Sequence, residues 1–118
     1  MPAPSQLAIA TAAVTRLLKE EASYHKELAE QEQQIAKLEQ EIKNAGSHEN
    51  DDGNAEFMLK QNKTALEQTK AVLGPLRERI DAAVVKLEDQ IAGAEGPVDG
   101  VSEELESAKK VLGEAKKS

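Results

Sequence analysis

The side chains best able to do chemistry in this chain are its two histidines, His25 and His48, and its carboxylates. A histidine paired with a second histidine or a carboxylate at helical i,i+4 spacing can hold a zinc ion. Neither histidine has such a partner in a recognisable ligand motif. The stretch "HENDD", His48 to Asp52, brings several oxygen donors together, but without the spacing and glycine placement of a calcium loop. A solvated acidic turn is the simpler expectation. Adjacent acids such as Glu20 and Glu21 fit ordinary helix-surface charge better than a general acid–base pair. The chain has no cysteine, which removes disulfides, thiolate catalysis and sulfur-ligated metals. No phosphate-cradling glycine motif and no nucleophile elbow occur. Neither an enzyme nor a bound cofactor or metal is expected.

Composition sharpens that exclusion. The 118 residues suit one domain. Charged residues make up 31% and aromatics 2%, with Tyr24 and Phe57 the only aromatics. The core must therefore be aliphatic, which fits a helical bundle and hardly suits a pocket that stacks a ring. The formal net charge of −7 argues against nucleic acid and anionic membrane surfaces, both of which call for a basic face. No apolar run approaches the ~20 residues needed to span a bilayer. The N-terminal "MPAPSQLAIATAAV" lacks the basic region of a signal peptide. The expectation is a soluble cytoplasmic protein whose partners are other proteins.

Three helical segments account for nearly all of the chain. The first runs from about Ser5 to Ala45. Its two heptad lines are Leu7, Val14, Glu21, Leu28, Ile35, Ile42 and Ala10, Leu17, Tyr24, Gln31, Leu38, Ala45. Nine of these twelve residues are aliphatic, as in a coiled-coil-like seam. Glu21 and Gln31 are the polar members, either at an edge, fixing register, or on an incompletely closed groove. Glu39 and Lys43 are spaced as an i,i+4 pair. "NAGSHENDDGN", Asn44 to Asn54, forms the first break, with Gly46 suited to ending the helix.

The second segment runs from about Asn54, a plausible cap, to Ala92. Leu59, Leu66, Leu73, Ile80 and Leu87 recur every seven residues, and Leu76, Ala83, Val84 and Ile91 fill a second line. Pro75 means either a kinked helix or two helices. One kinked helix is favoured, because the seven-residue phase continues across it. After "GAEGPVDG", Gly93 to Gly100, the third segment runs from about Asp99 to Lys117. Asp99 or Ser102 can cap it. Its stripe is Val101, Leu105, Ala108, Leu112 and Ala115.

The architecture that follows is an all-α, antiparallel, up-down-up three-helix bundle. At 1.5 Å per residue the two long helices would each reach roughly 60 Å and the third about 27 Å. The third helix should lie beside the start of the first and the end of the second. There the apolar faces should widen, through Ile9, Ala13 and Leu18 on the first helix and Val72, Val84 and Val85 on the second. Beyond residue ~30 only two helices should remain, as a thin rod tip through which a second copy could pair, giving a homodimer.

"QLAIATAAVTRLLKEEASYHKELAEQEQQIAKL", Gln6 to Leu38, resembles the first helix of the tubulin-specific chaperone A family, also called tubulin-folding cofactor A. Ile9, Val14, Arg16, Leu17, Lys19, Glu20, Tyr24, Glu27 and Gln31-Glu32 carry the likeness. It continues through "VLGPLRERIDAAVVKL", Val72 to Leu87, and "EELESAKKVLGEAKK", Glu103 to Lys117. The first break lacks the family's Tyr-Asp turn, Pro75 is shifted by about one position, and the second break is richer in glycine. The resemblance implies a three-helix bundle, without nucleotide turnover, that captures β-tubulin after chaperonin release. It would then pass β-tubulin to other tubulin-folding cofactors for αβ-heterodimer assembly. Tubulin in that setting is itself acidic, so local basic groups must carry attraction. Arg16, Lys19, Glu20, Glu27, Arg77 and Arg79 are the expected partner-binding residues. A generic coiled-coil or prefoldin-like interaction module with another partner is the competing expectation.

Overall fold

A computed structural model describes residues 5–45, 54–95 and 102–117. They form α1 (Gln6–Ala45), α2 (Asn54–Glu95) and α3 (Ser102–Lys117), and the described residues contain no strand. The fold is all-α, as the periodicity predicts. Three boundary details differ. α2 continues to Glu95, past Ala92, while Asn54 is its first helical residue rather than a cap outside it. α3 starts at Ser102, with Asp99 outside the described residues. Gly46, the His48–Asp52 stretch and Val101 also lie outside them.

Pro75 sits inside the single helix α2. Its ring removes one backbone donor and frees the carbonyl of Ala71. Ala71, Gly74 and Pro75 are all exposed, so water can satisfy that carbonyl. The helix therefore tolerates a residue that would be costly on its buried side.

The described chain divides into two compact units, and α1 and α2 contribute to both. The first unit comprises residues 1–21 and 75–118. Its core joins all three helices: Leu7, Ala10 and Val14 from α1, Leu87 and Ile91 from α2, and Ala108 and Ala115 from α3. Val14, Ile80 and Leu87 are its largest fully buried side chains. Alanine at the two buried α3 positions lets the short helix approach closely, while half-buried Leu105 and Leu112 flank them.

Polar contacts fix the course of this unit. Ser5 Oγ accepts the Ala8 N–H at 3.0 Å, capping α1, and donates to Glu104 Oε2 at 2.6 Å. The start of α1 thus meets the start of α3. Near the other end of α3, Lys116 Nζ is 3.1 Å from Glu88. Glu21 meets Arg77, so within this unit the beginning of the α2 portion lies beside the last α1 residues. These contacts give the expected up-down-up order.

The predicted wide apolar faces are narrower than expected. Leu18 and Val84 do pack against the core, and Ala13 is half-buried. Ile9 at 48% and Val85 at 57% exposure face outward, as does Val72 in the second unit at 41%. Burial on a helix follows angular position, and an apolar residue next to the seam need not be covered.

The second unit, residues 22–74, contains α1 and α2 alone. Ile35, Leu38 and Thr69 are buried. Tyr24, Leu28, Ile42, Leu59, Leu66 and Leu73 are only half-buried, as expected where each helix has one neighbour. Thr69 Oγ1 satisfies itself by donating to the Ala65 carbonyl at 3.0 Å. Glu39 pairs across to Lys63 at 3.6 Å rather than along the helix to Lys43. Gln31 Oε1 is buried with no hydrogen-bond partner among the described residues.

Candidate interaction surface

The polar gap in the α1 seam is filled by an ion pair. Glu21 is 8% exposed. Arg77 Nη1 donates to its Oε2 at 3.3 Å and approaches Oε1 at 3.5 Å. Arg77 Nε faces Asp81 Oδ1 at 3.3 Å, one turn further along α2. Arg77 is one of the expected partner-binding residues. Its guanidinium meets two carboxylates of its own chain and stays partly open to solvent. The Glu21 position thereby has a structural occupant 56 residues away.

Arg16, Lys19 and Glu20 are exposed on α1, and three- and four-residue spacing puts them on one face. Arg79 is exposed on α2. None of these four side chains forms an ion pair among the described residues, so Arg16, Lys19 and Arg79 offer uncommitted donors in the first unit. Glu27 is exposed on the α1 portion of the second unit, and so is His25. The arrangement can present charge-assisted hydrogen bonds to a partner's carboxylates. Among the described residues no three His, Cys, Asp or Glu converge as for a metal centre. Among those residues, too, no helix is long and apolar enough to cross a membrane.

One exposed group lies off the heptad lines. In the second unit α2 leaves Phe57 at 59%, Met58 at 39% and Val72 at 41% exposure. Phe57 and Met58 are out of phase with the Leu59, Leu66 and Leu73 repeat, and Val72, expected to widen the apolar face, is exposed as well. The signal available was the placement of charge along the same helix.

The family model for tubulin binding cofactor A matches residues 2–112. The chain belongs to that family. Tubulin binding cofactor A proteins are chaperone-type folding cofactors and not enzymes. The chain is also similar to a solved structure, the tubulin folding cofactor A from Arabidopsis thaliana. The two share 26% identity over 95% of this chain and 94% of that one, with a TM-score of 0.75. No curated protein matches the chain. The matched span takes in α1, α2 and most of α3, so the family likeness is carried by the helices that build both units.

Proposed function

We propose that the chain captures β-tubulin after its release from the cytosolic chaperonin and holds it for assembly of the αβ heterodimer. The observation that carries this reading is the family match over residues 2–112. The family's chaperone-type role and the acidic, helical character of the chain support a holding role rather than a chemical one. In this role the protein works in the cytoplasm beside the cytoskeleton. It hands β-tubulin to other tubulin-folding cofactors, and it can act as a monomer or a homodimer.

Both partners being acidic, attraction between net charges does not drive the encounter. Exposed Arg16, Lys19 and Arg79, with the open part of Arg77, supply local positive charge. Glu20 and Glu27 complete the exposed set and suit basic groups of the partner. The experiment is the double reversal Arg16→Glu with Lys19→Glu in a capture assay using chaperonin-released β-tubulin. Weakened capture at unchanged helicity and melting supports this face. Unchanged capture removes it as the contact.

A further inference from the structure

Apolar burial is unevenly shared between the two units. Among the described residues twelve apolar side chains are buried, and of these only Ile35 and Leu38 belong to the second unit. Between Leu17 and Ile35, α1 buries Glu21 alone. The α2 portion of the second unit, residues 54–74, buries only Thr69.

Gln31 lowers the stability of that unit further. It lies in the seam between half-buried Leu28 and buried Ile35, and its Oε1 is buried with no hydrogen-bond partner among the described residues. Such an oxygen loses its hydration in the closed unit and recovers it when the unit opens. Fixing a residue's backbone costs conformational entropy wherever the residue lies. The second unit offsets that cost with two buried apolar side chains, so its net stability is the lower of the two.

The chain also marks where an opening stops. The second unit ends at Gly74 and the first resumes at Pro75. Pro75 has no N–H to give the Ala71 carbonyl, so one bond fewer ties the two stretches of α2 together at that step. Directly on the first-unit side, Leu76 is 2% exposed. Arg77 there meets Glu21, the last α1 residue of the same unit. The end of the first unit is therefore held by its own side chains.

We infer that the second unit opens and recloses cooperatively, losing its helical hydrogen bonds, while the first unit stays folded. Gly74–Pro75 is the limit of the opening along α2. The open form brings Tyr24, Leu28, Leu59 and Leu66 into water and leaves the three-helix core intact. This device is a property of the chain alone, and it goes beyond the proposed holding function.

Hydrogen exchange of the full chain, followed amide by amide at increasing sub-denaturing urea, tests it. Amides around Leu38 and Thr69 should exchange at least about tenfold faster than those around Val14 and Leu87, with one shared urea dependence smaller than the global one. Along α2 the step should fall between Leu73 and Ile80. Ile80→Val, in the first unit's core, should speed exchange there about threefold or more and leave the second unit unchanged. Gln31→Leu should slow exchange in the second unit about tenfold. Equal protection in both units, or equal acceleration of both by Ile80→Val, overturns the proposal, because the chain would then open only as a whole. A gradual change from the helix ends, with no shared urea dependence, is fraying and overturns it as well. Unchanged exchange in Gln31→Leu removes Gln31 as a source of the low stability.

Discussion

Glu21 Oε2 lies 3.3 Å from Arg77 Nη1, and this contact occupies the one charged position in the α1 seam. Its two ends are not equivalent. Glu21 is nearly enclosed, whereas the Arg77 side chain keeps 37% of its exposure and a second carboxylate, Asp81. Removing Arg77 strands a carboxylate with little water, while removing Glu21 leaves a cation that is still paired and hydrated. Arg77→Leu should therefore destabilise by about 2–3 kcal/mol. Glu21→Leu, which completes the aliphatic seam, should stay within about 1 kcal/mol of the parent or stabilise it. Urea unfolding measures both, and equal losses would refute the asymmetry.

Within the first unit, apolar residues that differ in burial should differ in what their truncation costs. Leu17 is 6% exposed and Val85 is 57% exposed. Leu17→Ala should cost ~2–5 kcal/mol. Val85→Ala should change stability by no more than about 0.5 kcal/mol. A Leu17→Ala loss below ~1 kcal/mol would mean that the seam is not core.

Ser5 joins two helix starts through one hydroxyl. Ser5→Ala loses the cap on Ala8 and the bond to Glu104, and should cost about 1 kcal/mol. Ser5→Asp can still cap α1, but it sets a carboxylate against Glu104. It should restore stability only when combined with Glu104→Gln. Thermal melts of the four proteins test this, and recovery by Ser5→Asp alone would show that Glu104 is unimportant there.

Gly113 lies within α3, and a Cβ added there meets nothing within 4 Å. Gly113→Ala should stabilise by about 0.5–1 kcal/mol through helix propensity and a less entropic unfolded chain. Hydrogen exchange should slow along α3. Unchanged exchange would mean that α3 stability is not limited by its own backbone.

The heptad lines made Leu7, Val14, Leu17, Leu38, Ile80 and Leu87 legible as interior positions, because a helix repeats its covered face at fixed spacing. The same lines marked Glu21 as anomalous without naming its partner. Arg77 is far away in sequence, and which residue faces Glu21 depends on the register between two helices. For the same reason Glu39 finds Lys63 rather than its local neighbour Lys43. Ile9 and Val85 were misjudged because apolar character alone does not report angular position. The exposure of Phe57, Met58 and Val72 was legible in principle, since the five charges of residues 54–74 fall on one other arc of the helix. A heptad repeat reports where apolar residues recur and not where charges are missing.

The most direct measurement is gel filtration of the purified protein with β-tubulin released from chaperonin, alongside the same mixture with α-tubulin. Co-elution with β-tubulin and not with α-tubulin is the expected result. A folded, helical sample that co-elutes with neither, or equally with both, would contradict a β-tubulin-holding function.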